Sequence, residues 1–404
     1  MADSIDGRAV CRHEKGACCV SDLRNAGRIF FLAGEQSGDL HGSLVINHLR
    51  QIAPDIVVDG IGGPMMKAAG MNCIHSSDEL AVIGFVEVLK NIRHLVRILK
   101  DVKNWLAKTR PDMIVLIDYP GFNQRVAAIA RSLDIHVLYY ICPQVWAWHA
   151  SRVEKITRLI NEAVVVFPFE VDIWARAGAM VNWFGHPLIG FAKPSGSIEE
   201  LRPALKGDAD SLISLLPGSR TQEIYYILPE LLDAAEIILQ QRPATRFLLP
   251  VAGAIDDSLV LPHLKGRNLP VTMLRGQTYD AIAVSDLCLV ASGTATLESA
   301  IIGTPMVVVY RVNWLTSLIS KFVIQAEHIG LPNVIAGRRI VPEFIRGDFK
   351  ASLIADEALA ILNDSQRQAQ MREDLSLVRQ SLGEPGASCR VAEHIAARIQ
   401  ELRR

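Results

Sequence analysis

Short apolar runs, rich in β-branched and aromatic side chains, recur along this chain with amphipathic stretches between them. In the first half they fall at 28–33 (RIFFLA), 56–61 (IVVDGI), 113–118 (MIVLID), 136–142 (HVLYYIC) and 163–167 (AVVVF), with helical spacing in segments such as 39–50 and 122–132. A run that is apolar throughout fits a strand buried on both faces, so the alternation predicts a parallel sheet with helices on each side. The pattern restarts at 211–216 (SLISLL) and continues through 246–251 (RFLLPV), 271–275 (VTMLR), 287–292 (LCLVAS) and 306–311 (MVVVYR). Between the two series, 190–210 is rich in Pro, Gly, Ser and charge and reads as a linker. The expected fold class is α/β: two doubly wound, Rossmann-like domains over 27–189 and 190–350, then a C-terminal helical tail, 351–404, packing back toward the first domain. The cleft between such domains is the default ligand site.

Length and composition agree with this picture. The 404 residues exceed what one ordinary core organises, and half of them are hydrophobic. A net charge of −1 gives no electrostatic footprint for nucleic acid. No apolar run approaches the roughly 20 residues of a membrane-spanning helix. Residues 1–26 are mixed and charged, lack the apolar stretch of a secretory signal, and read as a loosely ordered leader on an intracellular chain. The seven cysteines are odd in number and form no CxxC; Cys142 and Cys288 fall in expected strands as small buried hydrophobes, and Cys18-Cys19 with His13 fits no zinc template.

The candidate chemistry clusters where strands end. After the first strand comes Gly34-Glu35-Gln36-Ser37-Gly38-Asp39, a tight turn in which Ser37 or Asp39 caps the next helix or faces the cleft. It is not GxGxxG, and the chain has no P-loop, which disfavours a dehydrogenase or an ATPase. Asp118 ends another strand, before Tyr119-Pro120-Gly121-Phe122-Asn123; it is either a general base for a substrate hydroxyl or the cap of the following helix, and Asn123 is either a cap or a substrate contact. Trp146 and Trp148 stand too close at a strand end for both to bury with their N–H groups satisfied. In the second series, Pro217-Gly218-Ser219-Arg220 joins a strand to a helix, an arrangement that suits phosphate. Ser292-Gly293-Thr294, with Glu298 a turn later, repeats the offer. A capping box is its simpler explanation, but the pair of loops on one sheet points to a nucleotide diphosphate, with Glu298 toward ribose hydroxyls. Asp208-Ala-Asp210 mimics a metal-binding DxD but sits in the linker and reads as a turn, so no metal site is expected.

Two segments suggest apolar surface. Val82 and Phe85 lie in an apolar loop before a helix that mixes Arg93, Arg97, Lys100, Lys103 and Lys108 with Leu95, Val96, Leu99, Val102 and Trp105. Such a helix lies either on an anionic membrane or against the core. The stretch 314–323 poses the same choice.

Taken in order, AGEQSGDLHG, DYPGFN, PQVWAWHASRVEKI, FPFE with FGHP, LLPGSR, ASGTATLE and LPNVIAGR resemble the blocks of the lipid-A-disaccharide synthase family over residues 29 to about 349. The resemblance implies a glycosyltransferase-B fold and an inverting hexosyltransferase without a cofactor. The implied donor is UDP-2,3-diacylglucosamine, the acceptor 2,3-diacylglucosamine 1-phosphate, and the products a β-1,6-linked disaccharide 1-phosphate and UDP. It implies a cytoplasmic enzyme, peripheral on the inner face of the inner membrane; a homodimer is left open. By position, Asp118 matches the family's candidate base and Arg220 the Arg of its PGSR block. Gly218, Ser219, Ser292, Gly293, Thr294, Glu298 and Asn333 fall to the nucleotide, and Glu35, Ser37, Asp39, Asn123, Trp146, Val82 and Phe85 to the acceptor. Gly121 stands where some members carry a second Asp, and Cys142 and Gln144 where many carry Ser. The alternatives are another UDP-sugar enzyme on the same fold and a non-catalytic nucleotide- or lipid-binding membrane protein.

Overall fold

The computed structural model describes residues 27–80, 85–143, 151–253, 255–311, 328–345 and 348–404, without the side chains of 85–92 and 151. Strands β1 (Arg28–Ala33), β2 (Val57–Gly62), β3 (Asn72–Ser76), β4 (Met113–Ile117), β5 (His136–Tyr140), β6 (Glu162–Val165) and β7 (Met180–Trp183) form a parallel sheet in the order β3-β2-β1-β4-β5-β6-β7. Strands β8 (Ser211–Leu216), β9 (Thr245–Val251), β10 (Val271–Arg275), β11 (Leu287–Ala291), β12 (Met306–Tyr310) and β13 (Glu343–Ile345) form a second, in the order β10-β9-β8-β11-β12-β13. In each sheet the winding reverses beside the first strand, between β1 and β4 and between β8 and β11. Connections leave in opposite directions there and open a crevice at the carboxyl ends of the strands.

The apolar strands are covered on both faces. In β1, Phe31 and Ala33 face one apolar layer while Phe30 and Leu32 face the other, and β4 divides likewise into Val115 and Ile117 against Ile114 and Leu116. The runs read from sequence are the central strands and one edge strand, β10. Strands β3, β7 and β13 were not expected: all three are sheet edges, half exposed, and carry no continuous apolar run. The linker contains a helix, Ile198–Lys206, capped by the Ser197 side chain. In the helix Phe85–Thr109, Val102 and Ile98 are buried and Leu95, Leu99 and Trp105 pack against the same core. Its apolar stripe covers the sheet, and the exposed face keeps Val96 and the basic residues.

The tail divides. Helices Ala351–Leu362 and Ser365–Ser381 pack into the core of the second domain, whereas Val391, Ala392, Ile395 and Ile399 of the last helix, Ala387–Leu402, pack on the first. The same apolar cluster takes in Leu297 and Ile301 of the helix Thr294–Ile302 and Leu188 and Ile189 of the interdomain segment. Arg390 clamps the return crossing by donating to the carbonyls of Phe184 (2.8 Å), Glu384 (2.7 Å) and Pro385 (2.9 Å).

A polar clasp anchors this last helix. Glu162, fully buried at the start of β6, accepts from His136 (2.8 Å) and His394 (2.6 Å), and Arg398 Nε lies 2.6 Å away. Burial pushes the Glu162 carboxyl up, but the three cationic or hydrogen-bonding partners outweigh it and hold it well below the usual carboxylate range. A depressed folded-state pKa stabilises above the unfolded value of about 4.3, and the contribution is lost as pH falls below that. Glu162→Ala is expected to lower stability at pH 7 by about 3 kcal/mol, because His136, His394, Arg398 and Asn182 lose their carboxylate. The gap to wild type should narrow at pH 3; urea unfolding followed through the tryptophans of the first domain, at both pH values, checks this.

Candidate active site

On the first domain the site is built from two adjoining strand ends. β1 runs into buried Gly34 and exposed Glu35, and the helix Gln36–Ile52 starts with Glu35 at its N-cap and no side-chain cap. β4 runs into Asp118 and Tyr119, both left-handed at φ +45° and +47°. Two consecutive non-glycine residues in this region are strained, and the surroundings hold them there. The Asp118 N–H donates to the carbonyls of Tyr140 (3.3 Å) and Ile141 (3.2 Å). Its own carbonyl accepts from Asn123 Nδ2 (2.6 Å) and Tyr139 Oη (2.8 Å). The helix Pro120–Ser132 follows with Tyr119 at the N-cap and no side-chain cap, so the Asp118 carboxylate is not a helix cap. Burial, then the charge of Glu35, push the Asp118 carboxyl up to about 6, against the opposing pull of the Tyr119 N–H and Arg220.

On the second domain the loop after β8 carries Gly218 (φ +112°), Ser219 and Arg220. Here Glu223 intervenes. Its Oε2 accepts the N–H groups of Ser219 (2.8 Å) and Arg220 (3.1 Å), and Arg220 Nη1 lies 3.3 Å from Oε1. A Cβ at position 218 would sit 2.1 Å from that carboxylate, so glycine is required. The loop therefore offers a ligand the Ser219 hydroxyl and the Arg220 guanidinium, with the N–H groups of Ser219 and Arg220 already engaged. The guanidinium reaches across the cleft, Nη2 lying 3.8 Å from Glu35 Oε2. After β11, Gly293 (φ +151°) is the N-cap of the helix Thr294–Ile302 and no side chain caps it, contrary to the capping-box explanation. Its first N–H groups are thus open to an anion. Ser292 donates to the Ile329 carbonyl (3.2 Å). Glu298 is half-buried, accepts from Tyr279 Oη (3.0 Å), and has its carboxyl pushed up by burial.

Other expected site residues sit elsewhere. Ser37 is exposed in the first helical turn beside Glu35. Asp39 is buried, and its carboxylate accepts from the N–H groups of Gly63 (2.8 Å), Met65 (3.0 Å) and Met66 (2.9 Å); it caps the helix Pro64–Ala68 and not its own. Asn123 is buried as a support of the Asp118 carbonyl. Asn333 is fully buried, with Nδ2 donating to Val341 O and Glu343 Oε1 and Oδ1 accepting from Ile340 and Val341; its four hydrogen-bonding positions are filled, so it shapes the loop and has none left for a nucleotide. Cys142 is buried and its thiol pushed well up by burial. A Cβ at Gly121 would meet nothing within 4 Å, so the side chain of other members would stand in open space. Val82, Gln144, Trp146 and 314–323, the side chain of Phe85, and the leader 1–26 lie outside the described residues. Tyr139 and Tyr279 were not singled out from sequence. A tyrosine inside an apolar strand, whose hydroxyl must find a partner, was the available sign for Tyr139.

A family model described as Lipid-A-disaccharide synthetase matches residues 29–399. The chain belongs to the lipid-A-disaccharide synthase family. It is accordingly a hexosyltransferase of lipid A biosynthesis. Relatives named lipid-A-disaccharide synthase include that of Geobacter metallireducens, 41% identical over 366 residues (90% of this chain, 95% of the relative). That of Nitrosococcus oceani is 39% identical over 378 residues (92% and 96%). Similar solved structures are a UDP-GlcNAc 2-epimerase from Neisseria meningitidis bound to UDP-GlcNAc (TM-score 0.64, 13% identity, 92% of this chain and 100% of that one) and the calicheamicin glycosyltransferase CalG4 (TM-score 0.59, 16%, 94% and 99%). These likenesses establish the two-domain glycosyltransferase-B architecture.

With Asp118 as the base, which must be deprotonated to act, kcat/KM is expected to rise with pH through an apparent pKa of about 6. Glu35→Gln removes a neighbouring negative charge and should move this acid limb to lower pH. Profiles of kcat/KM against pH for the two proteins check the direction.

Proposed function

We propose that the chain transfers a 2,3-diacylglucosamine unit from UDP to the 6-hydroxyl of 2,3-diacylglucosamine 1-phosphate, in one inverting displacement. The observation that carries this reading is the convergence of both switch points on one cleft, with Glu35 beside Asp118 on one side and 3.8 Å from Arg220 on the other. Asp118 accepts the proton of the acceptor hydroxyl as its oxygen bonds to the anomeric carbon. The bond from that carbon to the diphosphate breaks on the opposite face, and the electron pair leaves with UDP. Arg220 and the N–H groups at Thr294 stabilise the charge on the departing diphosphate. Glu298 faces the ribose, and Ser37 beside Glu35 faces the acceptor. A peripheral site on an anionic membrane, on the cytoplasmic face of the inner membrane, fits the exposed basic face of Arg93, Arg97, Lys100, Lys103 and Lys108. No described helix is long and apolar enough to cross a membrane.

Purified protein in detergent, given both acylated substrates without added metal, is expected to release UDP and a disaccharide of matching mass. Asp118→Asn should lower kcat by roughly 10²–10⁴ with the fold retained. Arg220→Ala should weaken UDP binding and lower kcat. Turnover of unacylated UDP-GlcNAc alone would transfer the reading to another UDP-sugar enzyme, and UDP binding without product to a non-catalytic protein.

A further inference from the structure

We infer that Tyr119 is a positioning residue, which fixes the Asp118 carboxylate by wedging its ring against Gly34 and tying its hydroxyl to Leu80; this rests on Asp118 being the base. Tyr119 follows Asp118 directly and shares its left-handed backbone, so the two residues move together. Its ring lies on the turn after β1. A Cβ at Gly34 would come within 2.5 Å of ring atoms Cγ and Cδ1, far inside contact distance, so position 34 admits no side chain while the ring is in place. Its Oη donates to the carbonyl of Leu80 at 2.6 Å. Leu80 is buried at the end of the turn Ser77–Glu79, and the sequence then passes into the apolar stretch holding Val82 and Phe85.

The ring also packs against Phe122, 6.4 Å between centroids, and the apolar layer of Phe30 and Leu32, but helix capping gives no reason for a tyrosine here. The residue occupies a helix N-cap, a position that favours Ser, Thr, Asp or Asn, and it makes no capping bond. Burial, with the charge of Glu35, pushes its phenol above the ordinary range, so it remains a neutral donor at physiological pH. Three pieces of chain distant in sequence thus meet on one side chain: the turn bearing Glu35, the turn bearing Asp118 and the end of the segment at Leu80. The ring sets the spacing of the two carboxylate-bearing turns, and the hydroxyl ties them to the buried end of the turn at Leu80.

Steady-state kinetics of the full-length protein in detergent, with both acylated substrates, test this. Tyr119→Phe removes the Leu80 bond alone. It is expected to lower kcat about fivefold, the worth of one hydrogen bond, with donor KM little changed. Tyr119→Ala should lower kcat at least about tenfold and move the acid limb of the pH profile to lower pH, since the exposed carboxylate is better hydrated. Gly34→Ala, which must expel the ring, should lower kcat comparably. The double variant should be no slower than Tyr119→Ala, because the clash is gone. Independent, multiplying losses from Gly34→Ala and Tyr119→Ala, or an unmoved pH profile in Tyr119→Ala, would overturn the inference while leaving the reaction in place. A wild-type chain that makes no disaccharide would overturn the base reading and this inference together.

Discussion

The central strands of both sheets are buried on both faces, and that constraint decides where the charges of the cleft can stand. A strand such as β1 or β4 has no exposed side along which to place a charge, so ionisable groups collect where strands stop. At the opening ends, beside the two points where the winding reverses, these are Glu35, Asp118, Arg220 and the loop at Gly293. At the opposite ends of β5 and β6 they are His136 and Glu162, and there the polar groups close on the last helix to make a clasp. One end of the first sheet therefore carries the proposed reaction site and the other an anchor for the tail, with an apolar slab between.

The electrostatics of the cleft follow from its crowding of carboxylates. Arg220 lies against Glu223 and reaches Glu35, and Glu35 in turn helps raise the carboxyl of Asp118. Burial gives Asp118 a proton affinity close to neutral pH, where a base can both accept and release a proton. The backbone serves the same end. The strained left-handed pair at Asp118 and Tyr119 is held through the Asp118 carbonyl by Asn123 and Tyr139, leaving the carboxylate for chemistry. In the second domain the two loops proposed for the diphosphate are unlike. At Ser219–Arg220 the backbone donors are occupied by Glu223, while at Gly293–Thr294 no side chain caps the helix.

The two domains communicate through apolar packing and the return of the chain. Leu297 and Ile301, on the helix that follows the Gly293 loop, share a cluster with Leu188 and with the last helix. A change in the Gly293 loop is thus mechanically next to the segment that joins the domains. The clasp at Glu162 and the clamp of Arg390 on Phe184 hold the last helix to the first domain, so it belongs to that domain in structure although it follows the second in sequence.

Much of this was legible in the sequence. The central strands, the restart of the pattern, and Asp118, Arg220 and Gly293 at strand ends all follow from local rules: an apolar run long enough to be buried, a glycine where the backbone must turn, a charge where a strand stops. What only the tertiary structure decided was which polar groups are left over for a ligand. Asp39 and Asn333 sit in motifs beside the same strand ends, yet their side chains are filled by backbone groups of loops folded against them. The edge strands β3, β7 and β13 exist because a neighbour offers its unpaired edge, and their own residues carry no continuous apolar run. Hydrogen-bonding capacity is settled by whichever partner arrives first in space, and periodicity along the chain records burial but not that partner.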